Sequence, residues 1–167
     1  NRAVTDVIEP GSTIKPFAVA AALESGQYRP GTPVDAGPGW MMVGGNTVQD
    51  VHNYGDIDVA TVLQKSSNVG ITRIALSLER GRIWEMVEAA GFGRGTGSGF
   101  PGEAGGFLAA RPPQSQFEQA TLAFGYGLSA TPLQLAQAYA AIANEGRLPP
   151  VSFLRGGDDG PGRRVME

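Results

Sequence analysis

The chain has 167 residues, 41% of them hydrophobic and 17% charged, enough for one domain or a large part of a bigger one and too apolar for wholesale disorder. Net charge is −3 with no basic run, which argues against nucleic acid as a partner. Zero cysteines exclude disulfides, thiolate catalysis and cysteine-held metals, and a single histidine, His52, excludes a multi-histidine metal site.

The first predicted helix covers residues 12–25, with Pro16 tolerated in its first turn and Gly26 as its stop. Residues 28–56 read as irregular apart from one hairpin, in which "WMMV" and "TVQDV" flank the turn-forming "GGN". Asp56 or Asp58 is placed to cap a helix "VATVLQK", which breaks at "SSN" and resumes as "VGITRIALSLERG". Another helix is predicted over 82–90, ending at Gly91, before a long glycine-rich loop over 91–106. The segment "FEQATLAFGYG" is apolar without clear periodicity. A strongly signalled helix follows over 131–145: Thr131 as N-cap, Pro132 at the first helical position, Gln134 completing a capping box, and Gly146 closing it. The tail over 156–167 reads as flexible, and helix outweighs strand. No apolar stretch approaches the roughly 18–20 residues of a membrane span, and Asn1-Arg2 opens no signal peptide.

Two short motifs carry chemistry. In "EPGSTIKPF", Ser12 and Lys15 stand three residues apart at a helix start, on one face. A helix N-terminus disfavours an ammonium and favours an alkoxide, so this lysine is expected to have a lowered pKa and to act as base for the serine. The bland alternative is a capping serine beside a solvated lysine. In "KSSN", Lys65 to Asn68, two hydroxyls and an amide stand at a helix break, where an ordinary turn is the alternative. Lys15 and Lys65 are the only lysines, and both sit near serines.

Ser-x-x-Lys, a Ser-x-Asn-type motif and Lys-Thr-Gly together mark penicillin-binding proteins and class A β-lactamases. "STIK" and "SSN" occur here in that order, a little over fifty residues apart. With "NRAVTDVIEPGSTIKPF", "VLQKSSNVG", "GFGRGTGSGFPGEAGG" and "EQATLAFGYGLSATPLQLAQAYAAIANEG", the chain resembles the transpeptidase domain of class B penicillin-binding proteins, the division-specific peptidoglycan D,D-transpeptidases, over most of residues 1–155. The resemblance implies a mainly α portion of an α/β transpeptidase fold: the helical lobe and nucleophile helix, with most of the central sheet outside it.

It also implies roles. Ser12 attacks the penultimate D-alanine carbonyl of a stem peptide ending in D-Ala-D-Ala, or a β-lactam, and becomes the acyl-enzyme. Lys15 takes its proton, Ser66 relays protons, and Asn68 holds the acyl-chain amide. Ser67 and Lys65 are left as structural. Tyr126 lines the substrate groove, with packing as the alternative, and Trp40 rims the groove or packs. No metal or organic cofactor is implied. Division proteins are the implied partners of the parent protein, and the periplasmic face of the inner membrane is its implied place, with an anchor outside this sequence.

The departure from the family pattern is that no Lys-Thr-Gly, Lys-Ser-Gly or His-Thr-Gly occurs. The strand bearing it is expected beyond residue 167. The first helix is therefore expected to show apolar faces to the rest of the domain, and these residues alone to be weak catalysts. Two other readings stand beside transpeptidation. A D,D-carboxypeptidase or β-lactamase would need a deacylating base, and no Glu-x-x-x-Asn loop is evident. A non-catalytic scaffold or sensor of the same fold is the other. Elsewhere, "GFGRGTGSG" lacks a nucleotide-binding register, His52 reads as a loop residue, and Asp35, Asp50, Asp56 and Asp58 read as turn or cap acids.

Overall fold

A computed structural model describes residues 1–154 and 160–167. A four-residue helix α1 (Arg2–Thr5) opens the chain, and α2 (Lys15–Glu24) lies at its centre. After Lys15 the sequence of α2, KPFAVAAALE, is apolar on all sides up to Glu24, and such a helix is stable only when surrounded. Lys15, Phe17, Ala18, Val19, Ala21 and Ala22 are all buried. Helices α3 (Val59–Lys65), α4 (Asn68–Ser77) and α5 (Arg82–Ala89) pack against it, the alanines allowing close approach. Phe17 meets Phe92 and Tyr139 edge-on at 5.5 and 5.6 Å. The expectation that this helix shows bare apolar faces is thus corrected: of its large apolar side chains only Leu23 is exposed. The exposed apolar side chains include Val7 and Ile8 before α2, and Tyr139 and Ile142 on α7 (Pro132–Ala143). The stretch predicted as one helix over 12–25 is also two pieces, a 3₁₀ turn at Gly11–Ile14 and then α2.

Helix α4 stops at Ser77 instead of running to residue 81 as its apolar pattern predicts, because Leu78 turns extended. Gln119, buried on α6 (Gln116–Ala123), donates to the carbonyls of Ala75 at 2.7 Å and Leu78 at 3.2 Å, so a side chain closes the helix end. Helix α6 itself occupies the apolar stretch that showed no period. Its start was nonetheless written in the sequence: Ser115 accepts from the Glu118 amide three residues on.

At α7 the capping box closes in both directions: Thr131 Oγ1 accepts from the Gln134 amide at 3.1 Å, and Gln134 Oε1 from the Thr131 amide at 2.7 Å. The Nε2 of Gln134 then donates to the carbonyls of Arg94 and Gly105, tying the glycine-rich loop to the helix.

Three two-stranded antiparallel sheets complete the described residues. Strands β2 (Trp40–Val43) and β3 (Asn46–Gln49) form the predicted hairpin around Gly44-Gly45, both with positive φ, as a two-residue turn requires. Strand β1 (Pro33–Asp35) pairs with β4 (Asp56–Asp58), giving order to a stretch read as irregular. Strand β5 (Arg147–Leu148) pairs with β6 (Arg163–Arg164), and Met166 joins the core. Of the tail expected to be flexible, residues 156–159 lie outside the described residues; β6 and Met166 are held by these contacts.

Candidate active site

The turn before α2 is fixed from three sides. Gly11 N–H donates to the Gly125 carbonyl at 3.0 Å, Thr13 Oγ1 donates to the Pro10 carbonyl, and Tyr139 Oη donates to the Thr13 carbonyl at 2.9 Å. Within this turn Ser12 is exposed and makes no capping bond, so the capping alternative does not describe it. Its Oγ lies 3.1 Å from Lys15 Nζ.

Lys15 is the first residue of α2 and is 1% exposed. Besides Ser12 Oγ, its Nζ is within hydrogen-bond distance of the Ser66 carbonyl at 2.5 Å, Ser66 Oγ at 2.9 Å and Asn68 Oδ1 at 2.7 Å. Four partners exceed the three donors of an ammonium. A neutral amine fits differently. The Ser66 carbonyl and Asn68 Oδ1 can only accept, and they take its two N–H groups. Its lone pair is then left for a serine hydroxyl, Ser12 or Ser66. Burial lowers the amine's pKa from 10.5 to about 8, against the opposing pull of the Asp50 carboxylate. The direction is the one the sequence predicts, but the main cause is loss of water, which a motif cannot display.

Ser66 ends α3 in the left-handed region, φ 55° and ψ 38°. For a non-glycine residue this costs about 1–2 kcal/mol, and it turns both the carbonyl and the hydroxyl of Ser66 onto Lys15. Ser67, fully buried, caps α4 by accepting from the Gly70 amide at 2.7 Å. Asn68 opens α4. Its Nδ2 donates to the Gln49 carbonyl at the end of β3, which fixes the amide so that Oδ1 faces Lys15. Ser12, Lys15, Ser66 and Asn68 thus meet at one point, brought from the start of α2 and the α3–α4 corner.

The sequence reads Asp50 as a turn or cap acid; the structure makes it a cap for α4, and its tie to the converging residues is what sequence reasoning missed. Asp50 follows β3, and its carboxylate accepts from Ser67 Oγ at 2.5 Å, from the Val69 amide at 3.1 Å, and from the Asn68 amide. Nothing local marks it, since its partners lie 17 to 19 residues further on. Lys65, at the end of α3, is exposed.

Tyr126 stands apart from the four. It is 51% exposed, stacks edge-on against Phe124 at 5.8 Å, and shares with Asn68 a cleft of about 480 Å³ that Thr47, Gln49, Phe117 and Thr121 also line. A larger cavity of about 550 Å³, which Tyr126 also lines, lies among Trp84, Phe107 and Arg111 and contains none of the four converging residues. Trp40 is half exposed beside Gln49 and Asp50, at the border of a shallow open surface that His52 also lines. Among the described residues no group of His, Asp or Glu is arranged to hold a metal ion, and no helix is long and apolar enough to cross a membrane.

Residues 1–165 match the family described as the penicillin binding protein transpeptidase domain. The chain is 40% identical to the probable peptidoglycan D,D-transpeptidase PbpC of Pseudomonas aeruginosa, covering all of this chain and 30% of that protein. It is 42% identical to the probable peptidoglycan D,D-transpeptidase PenA of Neisseria flavescens, over all of this chain and 41% of the relative, and 39% identical to the peptidoglycan D,D-transpeptidase FtsI of Escherichia coli, over 99% and 28%. Among solved structures, the apo transpeptidase domain of penicillin-binding protein 3 from Burkholderia pseudomallei superposes with a TM-score of 0.92 at 42% identity, covering all of this chain and 51% of that one. The chain therefore spans between about a quarter and two-fifths of these curated relatives' length.

Proposed function

The chain belongs to the penicillin-binding protein transpeptidase domain family, and on that premise we propose that it supplies the acyl-serine part of a peptidoglycan D,D-transpeptidase centre, with Ser12 as nucleophile. The observation that carries this reading is the Lys15 amine, buried, lowered to about 8 and 3.1 Å from an exposed serine hydroxyl.

In the proposed reaction Ser12 Oγ attacks the penultimate D-alanine carbonyl while its proton passes to Lys15. The C–N bond to the terminal D-alanine then breaks, and the proton leaves with that amine through Ser66 Oγ, which touches the same Nζ. The amine of a second stem peptide attacks the resulting ester and gives its proton to Lys15, which returns it to Ser12 Oγ as the ester C–O bond breaks, leaving a peptide cross-link and the free serine. One N–H of Asn68 Nδ2 is engaged by Gln49, and the other would bind a carbonyl of the acyl chain. The Tyr126 cleft adjoining Asn68 would take the substrate beside it. A β-lactam enters by the same attack, its ring amide replacing the peptide. Septal cell-wall synthesis on the periplasmic face of the inner membrane, beside division proteins, is the setting proposed for the parent protein.

The test uses the native full-length protein, since no Lys-Thr-Gly or equivalent lies within these 167 residues. A fluorescent penicillin should label Ser12, located by peptide mass, and S12A should abolish labelling. A folded wild-type protein that takes no label would favour the non-catalytic scaffold and remove the enzyme reading.

A further inference from the structure

We propose that Asp50 is a positioning residue for the Ser12–Lys15 pair: by tying Ser67 and the first two amides of α4 to one carboxylate, it holds Ser66 and Asn68 against the Lys15 amine. The inference rests on the reading of Ser12 as nucleophile and Lys15 as its base, and goes beyond it by assigning a residue outside both motifs.

A helix leaves its first N–H groups unpaired, and a single capping side chain usually satisfies one of them. At α4 all three leading amides are taken: Asn68 and Val69 by Asp50 Oδ1, and Gly70 by Ser67 Oγ. Ser67 Oγ in turn donates to Asp50 Oδ2 at 2.5 Å, so cap and carboxylate form one unit. These contacts fall on Asn68, which faces Lys15, and on its two neighbours, Ser67 and Val69. Ser66, directly before Ser67, sits in a left-handed conformation that its surroundings must enforce. Asn68 is held through its amide by Asp50 and through its side chain by Gln49, the residue before Asp50. Residues 49 and 50 therefore work as a bracket at the end of the β2–β3 hairpin, setting where Asn68 Oδ1 and the two Ser66 oxygens meet Nζ.

The bracket also places a negative charge near a buried amine. Lys15 faces Ser12 from the 3₁₀ turn, Ser66 from the end of α3 and Asn68 from α4, all uncharged; the Asp50 carboxylate acts on it from behind that layer. It favours the protonated amine, opposing burial. Geometry and charge then make separable predictions.

The experiment measures the rate of Ser12 acylation by a fluorescent penicillin against pH, in the native full-length protein and its D50N and S67A variants, with unfolding followed on each. D50N keeps the shape and one acceptor but loses the charge. Its rate should fall about tenfold or more at the plateau, and the rising limb should move to lower pH by about one unit. S67A breaks the bracket and leaves the charge, so its rate should fall with the limb unmoved. D50E, which restores the charge on a longer stem, should bring the limb back. If D50N acylates with the wild-type profile, or loses rate only in proportion to the fraction unfolded with its limb in place, Asp50 is a structural cap and the proposal is wrong. If wild type itself is not acylated, it is the enzyme reading that fails, so the two failures are told apart.

Discussion

Gly125 sits where a single methyl group tests whether the loop carrying Tyr126 sets the nucleophile. A Cβ added there would lie 1.8 Å from the Gly11 carbonyl oxygen, 2.4 Å from its carbon and 2.7 Å from its Cα, where real contacts are no shorter than 3.0 Å. The Gly11 peptide must retreat by at least 1.2 Å, and Ser12 is the next residue. The φ of +88° adds backbone strain of about 1–2 kcal/mol, and overpacking adds about 1–3 kcal/mol. A domain of ordinary stability, about 5–15 kcal/mol, survives that sum, but a nucleophile displaced by about 1 Å loses about 10²-fold in rate. The assay is the second-order rate of penicillin acylation by full-length G125A, beside its thermal unfolding. The control is G127A: φ there is +76° but nothing lies within 4 Å of the added methyl, so it meets the strain without the collision. G125A should lose about a hundredfold and G127A little. Acylation by G125A within threefold of wild type, or an equal loss in both variants, would refute the idea that contact with Gly125 places Ser12.

Two further outcomes are expected. With the Lys15 amine at about 8, only about a tenth is neutral at pH 7. A base works deprotonated, so wild-type acylation should rise about tenfold per unit below pH 7 and level off above pH 8; a rate flat from pH 6 to 9, or still climbing steeply at pH 9.5, contradicts the assignment. Phe17→Ala removes a fully buried ring packed edge-on between Phe92 and Tyr139, and should cost about 3–5 kcal/mol in denaturant unfolding, with a loss below about 1 kcal/mol placing that ring outside the core.

Features governed by neighbours a few residues apart were legible in the sequence. Thr131, Pro132 and Gln134 specify the start of α7 because a capping box closes within four residues. Gly44-Gly45 specifies the hairpin because its turn needs two positive φ values in a row. The spacing of Ser12 and Lys15 put both on one face. The start of α6 was legible too, in Ser115 and Glu118, but an apolar segment without period masked it.

What only the tertiary structure decided depends on groups far apart in the chain. The β1–β4 ladder joins residues more than twenty positions apart, and no local pattern announces it. The sequence placed Lys15 at a helix end and so offered a dipole as the cause of its lowered pKa. Folding supplied a stronger cause by enclosing the amine, because desolvation depends on everything packed around a group and not on its neighbours in the chain. Asp50 read as one of four turn or cap acids, and only folding set it against the first amides of α4. The sequence by itself determined which serine and lysine meet; the tertiary structure decided that the lysine is buried, which four atoms surround it, and which carboxylate stands behind them.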